Sequence, residues 1–332
     1  MTTPSAPLVT IVFLAYQQAH WARASAEACL AQTGGPYEIL LSDDHSTDGT
    51  FEVLQEVAAA YQGPHQVRVR RSPVNVGIGQ HYNDLVQEAQ GELLVTMAAD
   101  DFSTPDRVER QLAAWEATGR QADLIACHVR DMDPQGGLHD VIRVDDLGQW
   151  TSIGQWAGQR PYIIGATHAF TRRLMARFGP LDPQVFYEDQ IMVFRAIALG
   201  GAVTVDAPLV QYRRGGTSMK PTFDSPEAFL RWTQRQRQRE IAEMRQLLAD
   251  ARLLGCTPLM EQHVGRQLAR TVYLHTLAET TTDAERWRLV REHRELPVWW
   301  RLRKALHYLY PRQTLALKRW HRGLRERMRR RT

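Results

Sequence analysis

The chain has 332 residues, of which 43% are hydrophobic and 23% charged. That balance suits a soluble globular protein of one large domain or two smaller ones, with ample material for a core. Its net charge of +4 hides an asymmetry: Arg286 to Thr332 carry 16 Lys/Arg against 3 Asp/Glu, a net +13, which leaves −9 on the first 285 residues. Cys29, Cys127 and Cys256 form no CxxC pair and no disulfide framework, which fits a reducing cytoplasm. A basic leader and an apolar run of spanning length are both missing, so neither a signal peptide nor a transmembrane helix is expected.

The first 120 residues alternate strand and helix signals. A buried strand is expected over 9–15 and a helix over 20–32, stopped by Gly34-Gly35-Pro36. A strand over 37–42 runs into a polar turn, Ser46-Thr47-Asp48-Gly49-Thr50, whose hydroxyls and carboxylate can cap a helix over 51–61. Then come a strand over 67–71, a loop over 75–79, a helix to about 89 and a strand over 92–97. This alternation implies βαβ units and a parallel sheet.

From 133 to 162 the glycines Gly136, Gly137, Gly148, Gly154 and Gly158 suggest a loop-rich connection of the kind that carries acceptor contacts. A strand is expected over 165–170 and a short helix over 172–178. Tyr187-Glu188-Asp189 precedes a helix over 191–199, and the last strands are expected over 202–205 and 209–212. Beyond Pro226 only helices are expected: 228–254, 260–280, 284–293, 299–310 and 314–331. The domain border is therefore put at 222/223, with an α/β domain over 1–222 and a basic α-helical region over 223–332.

Two strands end in paired carboxylates, Asp43-Asp44 and Asp100-Asp101. The C-terminal edge of an α/β sheet is where ligands bind, so the pairs suggest a site for a nucleotide and a metal. The wider set of blocks runs in order: Ala15-Tyr16-Gln17, Ser42 to Thr50, Asn75-Val76-Gly77, Ala98-Ala99-Asp100-Asp101 with Pro105, and Tyr187-Glu188-Asp189-Gln190. In that order and spacing, residues 7 to about 218 resemble the inverting family-two glycosyltransferases of the GT-A fold. The resemblance implies a Rossmann-like, mostly parallel central sheet flanked by helices, here followed by the helical C-terminal region. It also implies a nucleotide-sugar donor, a divalent metal (Mn²⁺ or Mg²⁺) and inversion at the anomeric carbon.

Carried onto this sequence, the resemblance makes Asp101 the metal ligand, with Asp100 nearer the ribose and also a candidate ligand. Asp44 would accept from an N–H of a pyrimidine base, while Asp43 caps the turn and Asp48 the helix after it. Ala15 and Tyr16 would pack on the base; Asn75 and Gly77 would present a turn to the donor. Asp189 is the expected general base on the acceptor hydroxyl, with Glu188 its competitor. Two departures stand out. Ala98 occupies a position where the commonest family pattern has Asp, and the stretch after the last strand, Tyr212 to Ser218, has no His. Arg213 or Arg214 is the expected substitute cation for the phosphates.

UDP or dTDP is the expected donor nucleotide, and a glycan or lipid-linked molecule the expected acceptor, in surface polysaccharide synthesis. Trp299, Trp300, Tyr308 and Tyr310 interleave with Arg and Lys in a way that suits an anionic membrane surface, at the inner face of the plasma membrane. Packing on the acidic body, or a homodimer through the helical region, is the competing use. Nucleic acid is not expected, because no recognised module accompanies the charge. Two other functions compete: a sugar-phosphate nucleotidyltransferase, against which Tyr16-Gln17-Gln18-Ala19-His20 stands in place of a Gly-rich basic signature, and a degenerate transferase that only binds nucleotide or partners.

Overall fold

Apolar runs of six or seven residues between amphipathic helices are buried most completely as strands covered on both faces, and every residue of the first two strands is buried. The computed structural model describes residues 7–214 and 225–309. It begins β1 (Val9–Ala15), α1 (Ala19–Leu30), β2 (Glu38–Asp43), α2 (Thr50–Ala60), β3 (Gln66–Arg71), α3 (Gly77–Glu88) and β4 (Leu93–Ala98). It continues with β5 (Phe102–Ser103), α4 (Arg107–Ala117), β6 (Leu124–Met132), β7 (Leu138–Ile142), α5 (Ile153–Gly158), β8 (Ala169–Thr171), α6 (Arg173–Phe178), α7 (Glu188–Ala198) and β9 (Ala202–Arg213). The remaining elements are helical: α8 (Pro226–Leu253), α9 (Thr257–Met260), α10 (Arg266–Glu279), α11 (Asp283–Glu292) and α12 (Val298–Leu309).

The strand order is β3-β2-β1-β4-β8-β6-β9-β5, with β7 added on β6. The first four strands are parallel, so their C-terminal ends form one edge. β8 then runs antiparallel to both β4 and β6, which lays its start beside the end of β4. Ile11, Phe13, Ile39, Leu41 and Val95 form the centre of a core closed by Ala22, Ala26 and Cys29 of α1 and by Trp115 of α4.

Three expected elements differ: in place of the strand expected over 165–170 there is a 3-10 turn over Gly165–Thr167 followed by the short β8. The last two strands are one, β9, because its pairing with β6 shifts register around His128 opposite Pro208; the irregularity absorbs a residue that has no N–H to donate. The loop-rich stretch also contains β7 and α5.

The chain divides into two compact units: Met1–Thr222 with Ala249–Leu259, and Phe223–Leu248 with Met260–Thr332. In the second, Tyr273 and Leu277 of α10 pack with Leu289 and Val290 of α11 and Ala305 of α12. Thr282 and Glu285 close α11 with a reciprocal capping box, which satisfies two otherwise orphaned N–H groups. The helix expected over 314–331, and residues 215–218 after β9, lie outside the described residues.

Candidate active site

Parallel pairing puts Ala15 opposite Asp43 and Leu14 opposite Ala98. The loops leaving β1, β2 and β4 therefore start side by side. Asp44 N–H donates to the Ala15 carbonyl at 2.9 Å and Ala99 N–H to Leu14 at 3.0 Å, extending the ladder past the strands.

Asp44, Asn75 and Gly77 come together as one unit. The Asp44 carboxylate accepts from Val76 N–H at 3.0 Å, Gly77 N–H at 2.9 Å and Asn75 Nδ2 at 2.9 Å. Three of about four acceptor positions on that carboxylate are thus filled by the turn it organises. Gly77 sits at φ 78, a backbone that disfavours any residue with a Cβ. Asp43 Oδ2 accepts from Ser46 N–H at 2.9 Å, turning the chain sharply after β2. Asp48 takes Thr50 N–H on one oxygen and Ala19 N–H on the other, at 3.1 and 3.0 Å, joining the starts of α1 and α2. Gln17 and His45 both adopt left-handed backbone, at φ 54 and 61. Strain of this kind collects at functional loops. Tyr16 stands exposed beside them.

Asp100 and Asp101 occupy the turn after β4 and are both buried. Asp101 Oδ1 accepts from the Arg213 N–H at 2.8 Å. Burial, and then the neighbouring Asp100 carboxylate, hold Asp101 well above the usual carboxylate range; the Arg213 N–H and the Arg107 and Arg213 guanidinium groups pull the other way. The Arg213 side chain does not stand free for a phosphate. Its Nε donates to the Asp100 carbonyl at 2.9 Å and its Nη1 to Pro134 at 3.2 Å. The guanidinium also stacks between Trp21 and Phe102, 5.2 and 5.3 Å from the ring centres. Arg214 pairs with Asp131 through two hydrogen bonds. Arg213 thus helps hold the Asp100–Asp101 turn, while Arg214 ties the end of β9 to Asp131 of β6.

A hard divalent cation fits this carboxylate pair, since it would offset the like-charge penalty that burial imposes on Asp100 and Asp101. Among the described residues no three His, Cys, Asp or Glu side chains converge, so such an ion would take most of its oxygens from ligand and water, as Mg²⁺ commonly does.

Glu188 and Asp189 form the first turn of α7. A Cβ on Gly165 would lie 3.1 Å from the Asp189 Cβ and 3.3 Å from the Glu188 Oε1, so the glycine lets this turn pack closely on both residues. Thr96 N–H donates to the His168 carbonyl at 3.0 Å, which fixes the Gly165 turn against the end of β4. Tyr82, whose hydroxyl meets Thr96 Oγ1 at 2.8 Å, lies near Glu188. The carboxylates of α7 therefore gather at the edge that carries Asp100 and Asp101. Tyr162, half exposed, follows Pro161, whose carbonyl accepts from Gln190 Nε2 at 2.9 Å.

Burial, and then the Asp189 charge, push Glu188 up to about 8. Burial also raises Asp189, while the N–H groups of Gln190 and Asp189 itself, and Arg160, favour its charged form. The consequence for folding has a definite sign. A carboxylate raised on folding supports the fold below its unfolded value near 4.5 and loses that support as pH rises through 8. Glu188→Gln keeps the neutral shape, so its melting temperature should gain on the wild type from pH 5 to 8 and run parallel above. Melts at five pH values check this; a constant difference would remove Glu188 from the desolvated pair.

Two residues of the site escape sequence reading. Arg107 is fully buried, donating to the Thr96 carbonyl at 2.8 Å and to Ser103 Oγ at 3.0 Å. An arginine on the first turn of a helix, where the dipole disfavours cations, was the available signal. Tyr82 gave none beyond its place on the apolar face of α3.

The family model for glycosyl transferase family 2 matches residues 10–175. Chondroitin synthase of Escherichia coli is 37% identical over 138 residues, 41% of this chain and 19% of that protein. The chain spans less than half the length of the curated relatives it matches. Among solved structures, Staphylococcus aureus TarS 1–349 in complex with UDP-GlcNAc superposes with a TM-score of 0.51 at 15% identity, over 90% of this chain and 88% of that one. The mannosyltransferase PcManGT of Pyrobaculum calidifontis, in complex with GDP-Man and Mn²⁺, gives 0.52 at 16% identity, over 93% and 89%. These two likenesses show the fold.

Proposed function

The chain belongs to glycosyl transferase family 2, and from that premise we propose that it moves a sugar from a UDP- or dTDP-sugar to a glycan or lipid-linked acceptor, with inversion, in surface polysaccharide synthesis. Residues 1–222 form the catalytic domain in this reading. The work is done in the cytoplasm, at the inner face of the plasma membrane, where lipid-linked acceptors are held.

Ala15, Tyr16 and the turn built by Asp44, Asn75 and Gly77 would receive the nucleoside. Asp101, with Asp100 beside it, would hold Mn²⁺ or Mg²⁺. A divalent ion there supplies charge neutralisation for the diphosphate leaving group. Arg213 fixes Asp101 through its own N–H. The acceptor hydroxyl gives its proton to Asp189 as its oxygen attacks the anomeric carbon from the face opposite the diphosphate. The new C–O bond forms as the sugar–phosphate bond breaks, and configuration inverts. Asp189 is preferred to Glu188 because a carboxyl pushed up to about 8 keeps its proton at neutral pH and cannot accept another. Tyr162 offers an exposed ring beside this helix for stacking a sugar acceptor.

What supports this reading most is that the Gly165 turn, which packs on Glu188 and Asp189, is hydrogen-bonded through His168 to Thr96 of β4, the strand that ends at Asp100–Asp101. The nucleotide-sugars bound by TarS (UDP-GlcNAc) and PcManGT (GDP-Man) support a nucleotide-sugar donor, the uridine of the first favours a pyrimidine, and the polysaccharide in the name of the chondroitin synthase relative supports a glycan product.

The test is calorimetric titration of UDP, dTDP and GDP, each with and without Mn²⁺. One pyrimidine nucleotide should bind and depend on the metal, and Asp101→Asn should remove that dependence. A folded wild type that binds none of the three would leave the degenerate reading, with Ala98 as its mark.

A further inference from the structure

Helix α12 has two unlike faces. Arg301 and Ala305 point inward, where the Tyr273 hydroxyl donates to the Arg301 carbonyl at 2.8 Å and Arg301 Nη1 donates to the Val290 carbonyl. Outward stand Trp299, Arg303 and Leu306, at i, i+4 and i+7 of one stripe, with Val298 at the helix start. Trp299 is 62% exposed and Val298 56%, among the most open large apolar side chains of the described residues. The Arg303 guanidinium lies 5.8 Å from the Trp299 ring centre. Arg288, Arg291 and Arg294 on and just after α11 are exposed as well.

We propose that this stripe of α12 is a docking surface for an anionic lipid bilayer. Charge and chemistry choose that occupant. The segment from Arg286 onward carries a net +13, so the apolar stripe sits within a strongly cationic stretch of chain. A tryptophan flanked by arginine and aliphatic side chains suits the headgroup boundary, where the ring is half solvated and the cation meets lipid phosphate. A second copy fits less well, because a two-fold contact sets like patch on like patch and would oppose these cations. A nucleic-acid backbone would satisfy the arginines yet leave Trp299 and Leu306 without a role.

This inference deepens the proposal of a lipid-linked acceptor. Its test reads lipid binding and not transfer, so either can fail alone. The full chain is sedimented with vesicles of phosphatidylglycerol and phosphatidylcholine, and with phosphatidylcholine alone, at low and high salt. Wild type should partition onto the anionic vesicles and leave them as salt rises. Trp299→Ala with Arg303→Glu and Leu306→Ala should weaken that partition at least about tenfold, each cation near the surface being worth roughly a factor of five. Circular dichroism and nucleotide affinity should not change, since all three side chains face solvent. Wild type that ignores anionic vesicles overturns the proposal. So does a triple variant that binds them as wild type does, or one that turns a dimer into a monomer in light scattering, which would make the stripe a protein contact.

Discussion

Asp189→Asn should lower kcat by about 10²–10⁴-fold, the range general-base catalysis supplies, while nucleotide affinity should stay near the wild-type value. The amide keeps the size of the side chain and its place on the first turn of α7, but it cannot take a proton from an acceptor hydroxyl. The donor contacts assigned to Asp44, Gly77 and Asp101 lie on the loops after β2, β3 and β4 and do not involve it. Burial raises Asp189 above its ordinary value, so the acidic limb of the wild-type kcat profile should lie above the ordinary aspartate range, and the asparagine variant should lack it. Glu188→Gln is the control: a group already protonated at pH 7 loses little when the proton becomes permanent. If Asp189→Asn turns over at more than a tenth of the wild-type rate, Asp189 is not the base. If Glu188→Gln is the dead variant, the roles of the two are exchanged.

Where one physical signal dominated, sequence and structure agree closely. β1 spans the expected residues 9–15, and α1, β2, α2 and β3 fall within two residues of expectation at each end. These segments have one period each and are bounded by Gly, Pro or capping residues. α4 carries no such signal, since its buried face is Arg107, Val108, Gln111 and Trp115, half of it polar. Those polar groups are satisfied by distant partners: Gln111 Nε2 donates to the carbonyls of Ile125 and Thr167. A local pattern cannot contain that information.

The site divides in the same way. The carboxylates were legible because paired Asp residues at strand ends are rare and point somewhere. Their partners were not. Arg213 looked like a free cation until the fold set its guanidinium between Trp21 and Phe102, residues 192 and 111 positions away in sequence. Asp44 looked like a base reader, and the structure shows most of its acceptor capacity used on the turn at Asn75–Gly77. Its proposed contribution to nucleotide binding thus runs largely through the shape of that turn.

The same dependence of site on scaffold sets the largest stability effect, at Asp250. Its two oxygens accept from Arg195 Nε at 2.7 Å and Nη2 at 3.1 Å, with both side chains almost wholly buried. Arg195 also donates to the Gly179 carbonyl at 3.1 Å and stacks on Phe178. Asp250→Ala leaves that guanidinium buried without its counter-charge, which should cost about 3–5 kcal/mol and lower the melting temperature by roughly 10 °C. Thermal and urea unfolding at pH 7 would measure it; a loss under about 1 kcal/mol would show that Arg195 finds water or another acceptor. Arg195→Met with Asp250→Leu should recover most of the loss, because a buried ion pair gains little over an apolar pair of similar volume. α7 carries Asp189 on its first turn and Arg195 near its last. A helix released at one end holds its other end less firmly, so Asp250→Ala should also reduce kcat in whatever protein remains folded, and the apolar double variant should restore it.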